Sequence, residues 1–176
     1  WLSDATQPFT GFPIVMGWLG WENMQQFLRT RITHLMIADR LAGTDDISAT
    51  PKFDAQTMKA LMYSNRVHGA EVALDDTLQI CTAFAAAPPM DISDAQLVTL
   101  DEACSVLANW DRRVNLDSRG AQVFTEYWAA LREAIGDDFQ NVINDQSFWL
   151  VDFDPAAPLT TPRGVDATLP GTVELV

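Results

Sequence analysis

Five stretches of this sequence repeat apolar residues at three- and four-residue spacing, and they commit most of the chain between Glu22 and Ile135 to amphipathic helix. Met24, Phe27, Leu28, Ile32, Leu35 and Met36 predict a first helix from Glu22 to about Leu41, where Asp39 interrupts the stripe. A turn-rich Gly43-Thr44-Asp45-Asp46 follows, and Asp54, a residue whose carboxylate can cap free backbone N–H groups, opens a second helix through Met58, Leu61 and Met62 to near Asn65. The third runs from Val67 to about Ala86, with Val67, Leu74, Leu78, Cys81 and Ala85 on one side, and Pro88-Pro89 stops it. A fourth from Asp94 to Trp110 aligns Leu97, Leu100, Cys104, Leu107 and Ala108. A fifth from Arg119 to Ile135 aligns Val123, Phe124, Tyr127, Trp128 and Leu131.

No convincing period-two strand pattern appears, so the chain on its own reads as mainly α. Its ends read differently. Residues 1–21 are broken by Pro and Gly yet carry Trp1, Phe9, Phe12, Trp18 and Trp21, and residues 152–176 contain Pro155, Pro158, Pro162 and Pro170. Structureless stretches of this length are uncommon inside an autonomous compact domain. Both ends are therefore expected to be arms that pack on a larger body, which makes residues 1–176 one helical portion of a larger protein rather than a self-sufficient domain.

Charge narrows the partners. Eleven basic against twenty-four acidic residues give a formal charge of −13, a field that repels phosphate backbones and anionic membrane surfaces. Neither nucleic acid nor membrane is expected as a partner. No apolar run approaches the roughly 20 residues of a membrane-spanning helix, and Trp1-Leu2-Ser3-Asp4 lacks the basic-then-apolar order of a signal peptide. The missing initiator Met suggests a start after cleavage or within a longer chain.

The residues that carry chemistry are few. His34 and His68 lie in different segments with no Cys or carboxylate at zinc-site spacing, so no metal site is expected. No serine sits in a Gly-x-Ser-x-Gly elbow. The acidic pairs Asp45/Asp46, Asp75/Asp76 and Asp137/Asp138 are adjacent in sequence, do not face one another, and read as turn or surface residues. Arg29 and Arg31 present two guanidiniums able to grip a carboxylate or backbone carbonyls, or simply to cover a solvated helix face. Cys81 and Cys104 fall on apolar faces of neighbouring helices. They are either a bridge, worth about 3 kcal/mol in the chain-entropy picture, or two buried thiols.

The block Leu107-Ala108-Asn109-Trp110-Asp111-Arg112-Arg113-Val114-Asn115-Leu116-Asp117-Ser118, followed by an aromatic helix, resembles the late β-subunit of the penicillin acylase family of N-terminal-nucleophile amidohydrolases. The resemblance continues in order through Trp1-Leu2-Ser3-Asp4 with Pro8 and Gly11-Phe12, Arg29-Thr30-Arg31, the Met58 helix and Thr160-Thr161-Pro162-Arg163-Gly164. Within the family, the branch acting on long acyl chains is most similar, namely the acyl-homoserine-lactone and aculeacin/echinocandin acylases. Their cysteines stand where Cys81 and Cys104 stand, which favours the bridge and a secreted or periplasmic home.

The resemblance implies an α+β, αββα N-terminal-nucleophile hydrolase fold in the assembled enzyme, with this chain an internal or C-terminal piece of its β-subunit. It implies a heterodimer cut autoproteolytically from one precursor, with partners in the α-subunit and the remaining β-subunit segments. It also implies hydrolysis of an acyl amide (a lipopeptide antibiotic, an N-acyl-homoserine lactone or a β-lactam side chain) by an N-terminal Ser whose own amine is the base, without a cofactor. The oxyanion would rest on a backbone N–H and an Asn side chain. None of these groups is expected in the sequence: residue 1 is Trp rather than Ser, Thr or Cys, and the oxyanion Asn belongs to a motif that would lie just before Trp1. What carries over is the Arg that orients the oxyanion Asn, assigned to Arg29 with Arg31 the alternative. Phe9 and Phe12 are candidates for the acyl cavity. The family's calcium-ligand Asp has no counterpart, because Pro8 lies near its place. The competing expectation from another class is a non-enzymatic acidic helical module that binds an apolar partner through its Trp-rich arm.

Overall fold

The computed structural model describes residues 25–135 and 149–166. Within them lie five helices, α1 (Leu28–Ala42), α2 (Ala55–Met62), α3 (His68–Ala86), α4 (Asp94–Ala108) and α5 (Ala121–Ile135), and no extended strand. The described residues divide into two compact units, one of residues 25–64 with 153–162 and the other of 65–135 with 149–152 and 163–166.

In the first unit, α1 begins six residues later than the apolar spacing predicts. Phe27 is extended (φ −59°, ψ 148°), and its carbonyl accepts from the backbone N–H groups of Thr30 and Arg31 at 2.9 and 3.0 Å. Periodicity marks which positions are apolar, but the point of helix entry depends on the backbone of Phe27, which has no capping side chain. The helix ends on Gly43 in the left-handed region (φ 69°), where the Gly43 and Thr44 N–H groups close back on Arg40 and Asp39. Then α2 starts as expected at Asp54, whose carboxylate accepts from Thr57 N at 2.7 Å while Thr57 Oγ1 accepts from Asp54 N. It ends at Met62, three residues short of the expected Asn65, which itself adopts positive φ (52°).

The buried side chains of α1 are Arg31 and Arg40; Ile32, Leu35 and Met36 are only half-buried. Arg40 is fully enclosed (0% exposed) and organises the loop that follows. Its Nη2 donates to the carbonyls of Ser48 and of Thr50 (2.6 Å to the latter), and its Nη1 lies 2.8 Å from Asp45 Oδ1, an ion-pair contact too bent to be a hydrogen bond. Asp45 Oδ1 in turn accepts from Ile47 N at 3.3 Å.

The second unit is built on α3, α4 and α5 around Ala70, Leu74, Leu107, Trp110 and Phe124. Phe124 is the hub, with ring centroids 5.3 Å from Trp110, 5.5 Å from Trp128 and 6.1 Å from Tyr127. The buried stripe of α3 runs through Ala70, Ala73, Leu74, Thr77, Ile80, Cys81 and Phe84; Ala85, expected inside, is exposed, because Phe84 takes the inward place at that turn. Helix α4 opens on Ser93, whose hydroxyl caps Gln96 N while Gln96 Oε1 accepts from Ser93 N. It stops at Ala108, which is exposed, so the buried Trp110 belongs to the following link rather than to the helix.

At the start of α3, Arg66 meets Glu71 in a two-pronged contact (Nε to Oε1 2.7 Å, Nη2 to Oε2 3.1 Å), and His68 Nδ1 lies 3.0 Å from Glu71 Oε2. Burial pushes the Glu71 carboxyl up, but the hydrogen bonds from His68 and Arg66 and their charges outweigh it and hold the group down at about 2. A depressed folded-state value means that stabilisation is complete above the ordinary Glu range and is lost as pH falls from about 4.5 toward 2. Glu71→Gln is therefore expected to cost up to about 3 kcal/mol at pH 7, with the deficit closing by pH 2. Amide exchange of α3 at the two pH values measures it, and a deficit that does not vary with pH would refute the linkage.

Candidate functional site

No group of three or more His, Cys, Asp or Glu among the described residues could hold a metal ion. The polar constellation that sets this chain apart is instead a buried guanidinium on α1. Arg31 is fully enclosed (0% exposed), which lowers its pKa to about 10 by desolvation and still leaves it a cation at neutral pH. Its Nε donates to the Leu159 carbonyl at 3.2 Å and its Nη1 to the Pro162 carbonyl at 2.7 Å. Nη2 is buried without a partner.

The carbonyls that Arg31 holds belong to a self-braced loop. Asp154 N donates to Thr161 Oγ1 at 2.9 Å, Thr161 Oγ1 donates to the Ala157 carbonyl at 2.8 Å, and the Thr161-Pro162 peptide is cis. Thus the Thr160-Thr161-Pro162 part of the expected C-terminal arm is pinned to α1 through backbone carbonyls. Its continuation lies in the second unit, where Arg163 pairs with Val151 (N···O 2.9 and 3.1 Å) and Gly164 N donates to Val72 O at 2.7 Å.

Arg29 differs in every respect. Its side chain is exposed and makes no hydrogen bond or ion pair within the described residues. The two arginines that the sequence offers as equivalents are therefore separated into one spent on the chain's own backbone and one that faces outward. Phe9 and Phe12 lie outside the described residues.

The block Trp110 to Ser118 is a structural link. Trp110 Nε1 donates to the Arg113 carbonyl at 2.8 Å, Ser118 Oγ donates to Asp111 Oδ2 at 2.9 Å, and Asp111 Oδ1 accepts from Arg113 N at 3.1 Å. The backbone of this folded-back loop then ties down the entry to α3: Val67 N donates to Arg112 O at 2.9 Å and Val114 N to Asn65 O at 3.0 Å. Arg112 adopts positive φ (56°) and its guanidinium pairs with Asp75. The Trp-Asp and Asp-Ser positions that make the block recognisable therefore shape a turn; among the described contacts they bring no reactive group together.

Cys81 and Cys104 are joined by a disulfide with Cα atoms 6.1 Å apart, linking the C-terminal part of α3 to the last turns of α4.

Arg40 was not singled out by sequence reasoning. The available signal was a basic residue at the end of an apolar helix followed at once by the Asp-rich turn that pairs with it.

Comparison with known proteins identifies the family of the chain. The chain is 39% identical to aculeacin-A acylase of Actinoplanes utahensis over 129 residues, 73% of this chain and 16% of the relative. It is 28% identical over 167 residues to acyl-homoserine lactone acylase PvdQ of Pseudomonas fluorescens (strain Pf0-1), covering 94% of this chain and 17% of the relative. The PvdQ of Pseudomonas putida is 29% identical over 168 residues, again 94% of this chain and 17% of the relative. The chain spans about a sixth of the length of these curated relatives. The penicillin amidase family model matches residues 10–172, nearly the whole sequence, and the chain belongs to that family.

Proposed function

We propose that this chain is a non-autonomous helical portion of the β-subunit of an exported amidohydrolase that removes an acyl chain from an amide. The candidate substrates are a lipopeptide, an N-acyl-homoserine lactone or a β-lactam side chain. The observation that carries the reading is the 39% identity to an aculeacin-A acylase over 129 residues. The nucleophile is an N-terminal Ser on a stretch of polypeptide outside residues 1–176, and the partners are the remaining β-subunit segments and the α-subunit of the same precursor. Phe9 and Phe12 remain candidates for contact with the acyl chain. The acidic-module reading has no observation in its favour beyond the net charge.

Within this reading the two arginines divide the work. Arg29, exposed on α1, is the positioning residue that reaches out to the oxyanion Asn, and Arg31 is the clasp on residues 159–162. In the intact enzyme, Arg29→Ala should lower kcat on the order of 10- to 100-fold, as expected when a catalytic group is displaced by about an ångström, with KM and thermal stability nearly unchanged. Arg31→Ala should instead destabilise the fold by about 3 kcal/mol, because two charge-assisted hydrogen bonds are lost and two carbonyls are stranded. Reversal of the two outcomes would exchange the roles.

The experiment that tests the function is release of fatty acid from a long-chain acyl amide by the complete processed precursor, with and without the Ser at the head of its β-chain replaced by Ala. Turnover should vanish in the variant. Turnover at the normal rate would overturn the mechanism.

A further inference from the structure

We infer that α4 is an element whose order depends on the Cys81–Cys104 bond, so that this part of the fold is completed only where the chain meets an oxidising thiol–disulfide environment. The inference goes beyond the acylase reading and does not require it.

Helix α4 is anchored at one end. Of its fifteen residues, Leu107 alone is buried; Leu97, Leu100, Ala103 and Cys104 are partly covered, and Val98 is 60% exposed. The connection that feeds it is bare: residues 85–91 are exposed throughout and Met90 is fully so. A fifteen-residue helix with so few buried side chains is marginal by itself in water, and the capping box at Ser93 contributes only locally. By contrast α3, to which it is bridged, buries eight residues, and the core gathers Trp110 and Phe124 with Leu107. The disulfide therefore gives α4 a second attachment beside Leu107, doing part of what apolar packing does for α3 and α5. It fixes Cys104, three residues before Leu107, to Cys81 in the C-terminal part of the well-buried α3.

Opening of residues 87–106 would leave the core of Ala70, Leu74, Trp110 and Phe124 in place and free the α4 side of the Cys81 attachment. Closure requires a thiol oxidant, and a small disulfide such as oxidised glutathione suffices. One cysteine thiolate attacks it and releases one glutathione thiolate, and the second cysteine thiolate displaces the other. One protein disulfide forms, one small disulfide is reduced to two thiols, and the two protons leave the cysteines for the released thiolates.

The test is amide exchange with peptide mapping on the intact protein, oxidised, then reduced with a phosphine, and in the Cys81→Ala/Cys104→Ala double variant, with alkylation and mass confirming two free thiols after reduction. The inference predicts that exchange in residues 93–106 rises at least tenfold on reduction and in the double variant. Exchange in residues 70–81 and 121–131 should change less than twofold, and a glutathione buffer rich in the oxidised form should restore the reduced protein. Unchanged protection of α4 in both the reduced protein and the double variant would overturn the inference. So would equal loss of protection across α3, α4 and α5, which would make the bridge a staple for the whole unit rather than a latch on one helix.

Discussion

Arg40→Ala should cost the first unit about 3–5 kcal/mol, the usual loss when one partner of an enclosed ion pair is removed and the other is left uncompensated. Both partners are enclosed, with side-chain exposures of 0% for Arg40 and 7% for Asp45. The same guanidinium also serves the carbonyls of Ser48 and Thr50, so its loss frees the 43–50 loop as well as stranding a carboxylate. The double variant Arg40→Ala/Asp45→Ala should recover part of that loss, because no buried charge then lacks a counterion. Amide exchange of α1 and of residues 43–50 reads both effects. A single variant within about 1 kcal/mol of the parent would mean that the pair contributes nothing.

Gly120→Ala should be comparably damaging, roughly 2–6 kcal/mol, from two causes that add. Gly120 has φ 110°, a conformation that costs an L-residue about 1–3 kcal/mol. A Cβ there would also sit 2.7 Å from Trp110 Cβ and 2.8 Å from Trp110 Cγ, in a core where overpacking costs a further 1–3 kcal/mol or so. Trp110 cannot retreat cheaply, since its ring packs on Phe124 and its Nε1 is committed to the Arg113 carbonyl. Gly69→Ala is the control: a Cβ there meets ring atoms of Phe124 and Trp128 at an ordinary 3.7 Å, and alanine favours helix over glycine by up to about 1 kcal/mol. Loss of near-ultraviolet tryptophan dichroism in Gly120→Ala and its retention in Gly69→Ala is the expected pair of results.

These two sites illustrate what can and cannot be read from the residues alone. The helix starts that were legible are those marked by local chemistry, such as the Asp54 carboxylate, and the Pro88-Pro89 stop closes α3 where expected. The start of α1 was not, because Phe27 breaks no rule of composition and only its backbone angles end the extended segment. Apolar spacing also misassigned the inside of α1. It counts hydrophobic residues, whereas the enclosed positions are Arg31 and Arg40, held by carbonyls contributed from residues 159 and 162 and from 48 and 50. Contacts at that sequence distance leave no periodic trace. Of the candidate site, the arginine pair was visible in the sequence, but its division into an outward and an inward member depends on which face of α1 the 159–162 loop covers.

On the proposed function, these helices serve a reaction whose nucleophile lies on other polypeptide. The direct measurement is hydrolysis of a long-chain acyl anilide by purified residues 1–176 beside the intact processed protein at equal molarity. All of the activity should reside in the intact protein and none in the 176-residue chain. Turnover by the chain alone, at a rate comparable with the whole, would mean that the nucleophile lies within residues 1–176.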